Sequence, residues 1–260
     1  MGRRSLSLIT LVYNGGSALV DTLESVACQS LCPDEHVIVD AGSVDGSIDV
    51  CKAYAARVSY DVRLLHREPR GIYDALNYGL SVSKGDILGA LHSGDCFASS
   101  VILERVMKEF SSSESVSSPG FVYGDIVYMN RRGGRGRYYS GAYYSFKSLK
   151  RGYMCPHPTV YARRELFEIC GLYNSAYKVA ADFEWLVRVM LKAGECGSYL
   201  PLLMVKMQSG GISSKLYHRL FTTPSEKYRA LRSNGISVNP LVLAGRYFYA
   251  FKTIFGKRND

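Results

Sequence analysis

Residues 87–97 read ILGALHSGDCF. The apolar run Ile87-Leu88-Gly89-Ala90-Leu91 has the character of a buried strand. It empties into a turn, His92-Ser93-Gly94, that delivers a single carboxylate, Asp95. Gly and Asp build turns in every kind of protein. The carboxyl end of a strand is also where an open α/β sheet holds its ligand. The rest of the chain has to separate a plain turn from a ligand site.

Upstream, strand and helix signals alternate. Ser7–Val12 is rich in β-formers and opens into Tyr13-Asn14-Gly15-Gly16-Ser17, after which Leu19, Leu23 and Val26 recur at helical spacing. EHVIVD (35–40) is a short apolar strand ending on Asp40. The turn-rich AGSVDGS (41–47) follows, then a helix carrying Ile48, Cys51 and Ala55. Val62–His66 reads as a third strand and Gly71–Leu80 as a third helix. An amphipathic helix with Leu103, Val106, Met107 and Phe110 comes after Asp95. Strands alternating with short helices predict an α/β fold, a mostly parallel sheet covered on both faces.

Downstream the regularity fades. SSSESVSSPG (111–120) is a polar loop and Phe121–Val127 a strand, while NRRGGRGRYYSGAYYS (130–145) suggests a mobile or hairpin segment. Helices over 163–170 and 182–193 are expected to stop at Gly171 and Gly194. The simplest organisation is one domain over 1–215. It has a nucleotide-type half (1–110), a variable acceptor-side half (111–215), and a basic aromatic extension over 216–260.

The 260 residues are 47% hydrophobic, enough for one large core, and the net charge of +9 favours anionic partners. Seven cysteines without a paired CxxC framework or a His cluster fit free thiols of a reducing cytoplasm better than disulfides or zinc. The apolar run after Arg3-Arg4 stops at Asn14-Gly15-Gly16, too short for a signal peptide. No stretch approaches ~20 uninterrupted apolar residues. A cytoplasmic protein is expected. Its tail, PLVLAGRYFYAFKTIFGKR (240–258), reads either as a helix for an anionic membrane surface, the inner face of the cell membrane, or as a terminal helix packed on its own domain.

Asp40 and Asp95, expected at adjacent strand ends with Gly-rich loops, would make a nucleotide site. One acid would accept from a base or ribose, and the other would hold a divalent cation bridging a diphosphate. No GxGxxG follows the first strand and no GK[ST] is present, which removes the dinucleotide fingerprint and the P-loop. The stretches SLITLVYN, HVIVDAGSVDGSIDV, EPRGIYDALNYGLSVSKGDILGALHSGDCF, PHPTVYARRELFEICGLYN, VAADFEWLVR and GGIS run in that order over residues 5–215. Together they resemble inverting family-2 glycosyltransferases of the GT-A fold, and among them the bacterial colanic-acid-type branch that builds surface polysaccharides.

That resemblance implies roles. Asp40 would contact the nucleobase, with Tyr13 lining its pocket, and Asp45 would be the second acid of the same motif or an N-cap of the next helix. Arg70 would lie near the diphosphate. Asn77 would sit on a donor-contacting helix shared with Asp74, where capping or packing is the competing role. Ser93-Gly94-Asp95 stands where the family has its DxD motif, with the first acid replaced. Ser93 and Gly94 would line the donor, and Asp95 would hold Mn²⁺ or Mg²⁺. His157, between Pro156 and Pro158, would ligate the metal or touch diphosphate or acceptor, unless it is a satisfied structural group. Asp182 looks like the catalytic base, with an N-cap role as its rival and Glu184 as the neighbouring alternative base. Gln208–Ser213 resembles the family's late glycine loop.

The expected activity is metal-dependent inverting transfer of a sugar from a nucleotide diphosphate donor, with UDP the expected nucleotide. The acceptor would be a glycan or lipid-linked, in surface polysaccharide synthesis. A nucleotidyltransferase would share the sheet and the metal logic but needs a Gly-rich basic signature near the first strand. A non-enzymatic nucleic-acid binder would rely on the Arg-rich segment 131–137, which no known binding motif frames, so no nucleic acid partner is expected.

Overall fold

Six of the seven residues of β1 (Leu6–Val12) are buried, as expected of a strand covered on both faces. Leu6 and Leu8 join an apolar cluster with Val26, Ile87 and Phe110, while Ile9 points into another with Val39, Leu76 and Leu186. The computed structural model describes residues 3–111, 118–129, 134–208, 222–240 and 243.

β2 (Glu35–Asp40) and β4 (Ile87–Ala90) flank β1, and β3 (Asp61–His66) pairs with β2. All four run parallel in the order β3-β2-β1-β4. Helices α1 (Gly16–Ala27), α2 (Ser47–Arg57) and α3 (Ile72–Val82) link them. The chain leaves β1 toward β2 on one side and later returns to β4 on the other. The crevice outside the carboxyl ends of β1 and β4 is therefore the switch point at which such sheets bind ligands.

After β5 (Asp95–Phe97) and α4 (Ile102–Ser111) the sheet becomes mixed. β6 (Phe121–Met129) carries β7 (Arg135–Tyr139) as an antiparallel hairpin partner. α5 (Phe146–Leu149) and a 3-10 turn (His157–Thr159) lead to β8 (Tyr161–Arg163), which joins β4 to β6 by antiparallel pairing. Then come α6 (Arg164–Cys170), α7 (Ala181–Ala193), β9 (Gly197–Gln208) and α8 (Thr223–Ser233). β9 runs parallel to β6 and antiparallel to β5, the last strand of the sheet. α6 and α7 stop at Gly171 and Gly194, both at positive φ, as expected.

Two expectations change, and one strand was not foreseen. β4 ends at Ala90, so Asp95 opens β5 instead of closing the strand before it. β1 lies between β2 and β4, so the loops carrying Asp40 and Asp95 do not follow adjacent strands. The long strand β9 is hidden in the sequence by Pro201. Its register against β6 jumps from Tyr123↔Tyr199 to Asp125↔Leu203, so the proline falls in an irregularity where no ladder bond is required.

α8 packs onto α7, and Ala230, Leu231 and Ile236 share a core cluster with Ile9, Trp185 and Leu186. Apart from Pro240 and Leu243, the aromatic-basic tail lies outside the described residues, as do 209–213 of the glycine loop and 131–133 of the Arg-rich segment. No helix among the described residues is long and apolar enough to cross a membrane. The seven cysteines are free.

Candidate active site

Three loops meet outside the carboxyl ends of β1, β2 and β4. Asn14, in the left-handed region at φ +49, receives Val44 N–H on Oδ1 at 2.9 Å and donates its own N–H to Ser43 Oγ at 2.9 Å. Gly15 N–H donates to Ser47 Oγ and Gly16 N–H to Asp45 Oδ2, each at 2.9 Å. The loops after β1 and β2 are thus laced into one surface. Gly15 also lies against the third loop, where a Cβ would come 2.5 Å from Ser93 Oγ.

Ser93 and Gly94 are the central residues of a turn closed by Asp95 N–H donating to His92 O at 2.9 Å. Gly94 has φ +94, which the third position of such a turn requires. Its N–H donates to Thr22 Oγ1 on α1 at 3.0 Å, so a helix holds this turn in place.

The acids behave differently from one another. Asp40 is buried, and its Oδ2 accepts Gly42 N–H at 2.9 Å and Ser43 N–H at 3.1 Å, with His66 Nδ1 3.9 Å away. Tyr13, one residue past β1, is 62% exposed. Asp45 accepts Ser47 Oγ–H and N–H and Gly16 N–H, and the Ser47 hydroxyl bond leads in holding its pKa low. Asp45 braces the two loops, and the N-cap of α2 is Gly46.

Asp95 stands apart. It is 8% exposed, its carboxylate makes no hydrogen bond among the described residues, and burial pushes its pKa up to about 7. A buried carboxylate without a partner fits a cation. No three His, Cys, Asp or Glu side chains converge among the described residues. A cation at Asp95 would therefore complete its shell with phosphate oxygens and water, as Mg²⁺ sites at phosphates do.

A run of rings leads from the turn to Asp182. The His92 and His157 ring centroids are 6.3 Å apart, His157 packs edge-on against Tyr173 at 5.6 Å, and Tyr173 lies 5.9 Å from Tyr73. Tyr73 OH donates to Val179 O at 2.8 Å and lies 3.3 Å from Asp182 Oδ1. Burial and then the Asp182 charge raise the pKa values of Tyr73, Tyr173 and Cys155. Burial lowers that of His157, and the same charge opposes the shift. His157 Nε2 and His92 Nδ1 are both shut off from solvent without a hydrogen-bond partner among the described residues.

Asp182 occupies the first turn of α7, where the positive helix end favours a carboxylate. Asp182 is not the N-cap, which is Ala180 without a side-chain bond, but its Oδ1 accepts the first-turn Phe183 N–H at 2.8 Å, so it does satisfy one of the helix's free donors. Glu184 is not available as a base. It is 4% exposed and held by Arg188, with Nε–Oε1 at 2.9 Å and Nη2–Oε2 at 2.8 Å, and by Asn234 Nδ2 at 3.2 Å.

Asn77 clips α3 to the 173 backbone, with Nδ2 donating to Tyr173 O at 2.7 Å and Oδ1 accepting Tyr173 N–H at 3.0 Å. Asp74 is gripped by both Nε and Nη2 of Arg67. Arg70 is exposed and makes no hydrogen bond or ion pair through its side chain among the described residues. His92 and Tyr73 were not singled out from the sequence. Each adjoins a motif residue, Ser93 and Asp74, and that adjacency was the available signal.

A parallel 3-2-1-4 sheet extended by mixed strands, with its loops gathered at the switch point, is the fold of the GT-A glycosyltransferases. Residues 7–169 match the model of Glycosyl transferase family 2, and the chain belongs to that family. It is a glycosyltransferase. Asp182 and α8 lie beyond the matched stretch. A PGL/p-HBAD biosynthesis glycosyltransferase of Mycobacterium bovis is 28% identical over 223 residues, 85% of this chain and 84% of the relative. Two solved structures share the fold. Staphylococcus aureus TarS 1–349 in complex with UDP-GlcNAc gives a TM-score of 0.67 at 17% identity, covering 97% of this chain and 74% of that one. The mannosyltransferase PcManGT of Pyrobaculum calidifontis, in complex with GDP-Man and Mn²⁺, gives 0.62 at 18% identity, covering 99% and 77%.

Proposed function

We propose that this enzyme transfers a sugar, with inversion, from a UDP-linked donor to a hydroxyl of a glycan or lipid-linked acceptor, in a reaction that depends on a divalent cation. The observation that carries the reading is Asp95, a buried carboxylate at the switch point of the sheet with no partner among the described residues. Asp40, steadied by two loop N–H groups, retains lone pairs for the N3–H of uracil, and Tyr13 offers a free ring to the base. Ser93 and Gly94 would line the donor, and the exposed Arg70 side chain would reach its diphosphate. Asn77 shapes the wall of the crevice through Tyr173. Asp95 would hold Mn²⁺ or Mg²⁺, with the unpartnered Nε2 of His157 as a second candidate ligand. The cation would offset the charge that builds on the departing diphosphate. Asp182 takes the acceptor proton as the hydroxyl oxygen attacks the anomeric carbon from the side opposite the leaving group.

Neighbours in complex with UDP-GlcNAc and with GDP-Man and Mn²⁺ support a nucleotide diphosphate donor and a divalent cation. They differ in the base, so the choice of UDP rests on Asp40 and its motif. The PGL/p-HBAD relatives are mycobacterial, so a colanic-acid-type role in surface polysaccharide rests on the sequence motifs alone. Association with an anionic membrane surface rests on the net charge of +9 and the tail. The test is nucleoside diphosphate release from UDP-glucose, UDP-galactose, UDP-N-acetylglucosamine, UDP-glucuronic acid and GDP-mannose, with Mn²⁺, Mg²⁺ or EDTA. Release from a UDP-sugar that EDTA abolishes is expected. Release that persists in EDTA, or only from GDP-mannose, overturns the corresponding part of the proposal.

A further inference from the structure

An α-helix leaves its first N–H groups without intrahelical partners. At α7 the backbone leading into the helix finds its acceptor on another helix. Glu226, 7% exposed in the first turn of α8, accepts Lys178 N–H on Oε1 at 2.8 Å. Its Oε2 accepts Val179 N–H at 2.9 Å and Ala180 N–H at 3.0 Å. Arg229, three residues on, places its guanidinium 4.1 Å from the Tyr177 ring centroid and donates to Ala176 O at 3.1 Å. Ser233, seven on, has its Oγ 3.3 Å from Tyr177 OH. This spacing puts all three on one face of α8, and that face grips residues 176–180. From the other side Tyr73 OH holds Val179 O. The gripped run ends two residues before Asp182.

We propose that Glu226 is a positioning residue for proton transfer: it fixes the backbone of 178–180 and, through it, the place of the Asp182 carboxylate. The inference rests on Asp182 being the base. A carboxylate suits the task because two oxygens with several lone pairs meet three N–H groups. An amide would offer one oxygen and turn its own N–H₂ against a backbone donor. Misplacing a catalytic group by about 1 Å can lower the rate by ~10²-fold.

The test uses the full chain as wild type, Asp182→Asn, Glu226→Gln and the double variant. It measures UDP affinity with Mn²⁺ by calorimetry, kcat and donor KM with the most active nucleotide sugar of the panel, and hydrogen exchange at amides 178–180. Glu226→Gln is expected to speed exchange at those amides and lower kcat ~10–100-fold. UDP affinity and donor KM should stay within about twofold, and the change should add nothing to the loss in Asp182→Asn. Unchanged exchange, wild-type kcat, or a loss that multiplies onto that of Asp182→Asn overturns the role. If Asp182→Asn is inactive and Glu226→Gln is unimpaired, the positioning role alone falls. If Asp182→Asn turns over normally, the base assignment falls and takes this role with it. Should Glu226→Gln fail to fold, Glu226→Asp keeps the charge on a shorter arm. It is expected to show the same faster exchange with a smaller drop in kcat, and wild-type values of both overturn the proposal.

Discussion

Replacing Asp95 with Asn should make the metal-free protein more stable and the ligand-bound protein less so. Burial holds the Asp95 carboxyl at about 7, against its ordinary value of 3.8. The native state therefore keeps the proton more tightly than the unfolded chain does. Stability falls as pH rises from about 4 to about 7, then stays level at its lower value. Holding this carboxylate ionised at pH 8 costs on the order of 4 kcal/mol as a ceiling. Asn has nearly the same shape and no charge to bury. In EDTA at pH 8 the variant should melt several degrees above wild type, at roughly 2–4 °C per kcal/mol for a domain of this size. At pH 4 the two should coincide. Adding Mn²⁺ and UDP should reverse the order at pH 8, because only the wild-type carboxylate gains a cation. Thermal melts of both proteins at the two pH values, with and without ligand, give the whole comparison. Equal melting temperatures in EDTA at pH 8 would refute the buried, unpartnered carboxylate. Equal stabilisation by Mn²⁺ and UDP would refute its role as a ligand.

Glu184→Gln should lower stability by ~2–4 kcal/mol, since it removes one partner of a buried ion pair, while kcat per folded molecule stays within about threefold. Urea unfolding and turnover check this, and a stable variant with a hundredfold loss of kcat would return Glu184 to the list of bases. His36 is fully buried, and burial lowers its pKa to about 3. Thr10 Oγ1 donates to Leu91 O, so His36 Nε2 must donate to Thr10, and Nδ1 accepts from Tyr54 OH. The unfolded chain takes up a proton below the ordinary value of 6.5 and the native one does not, so stability falls as pH drops from 6.5 toward 3. The slope is about 1.4 kcal/mol per pH unit. His92, whose pKa burial also lowers to about 3, adds the same slope. His36→Gln should therefore reduce the total by about that amount in urea unfolding below pH 6.5, and an unchanged slope would contradict the buried neutral ring.

The parallel half of the sheet was legible because its strands are apolar runs that stop at glycine-rich turns. EHVIVD matches β2 residue for residue. β9 was not legible, because Pro201 breaks a strand pattern whose irregularity only the partner strand β6 reveals. β8 spans three residues, too few for any periodicity to register. At the site, the motif located Asp95 but could not show that its carboxylate lacks a partner, which depends on everything packed around it. Asp182 and Glu184 look interchangeable in AADFEW. The discriminating signal was Arg188, four residues after Glu184, the spacing of a helical ion pair. The grip of Glu226 on residues 178–180 joins segments 46 to 48 positions apart, and no local pattern announces it.

The most direct test of the account is the turnover of Asp182→Asn beside its affinity for UDP and Mn²⁺. Asn keeps the size of the side chain and an oxygen for Tyr73 OH and Phe183 N–H, and loses the charge and with it the capacity to take a proton. The account predicts a fall in sugar transfer of ~10²–10⁴-fold, the range for a positioned base, with UDP affinity and melting temperature nearly unchanged. Near-wild-type transfer by a folded, UDP-binding Asp182→Asn would contradict it.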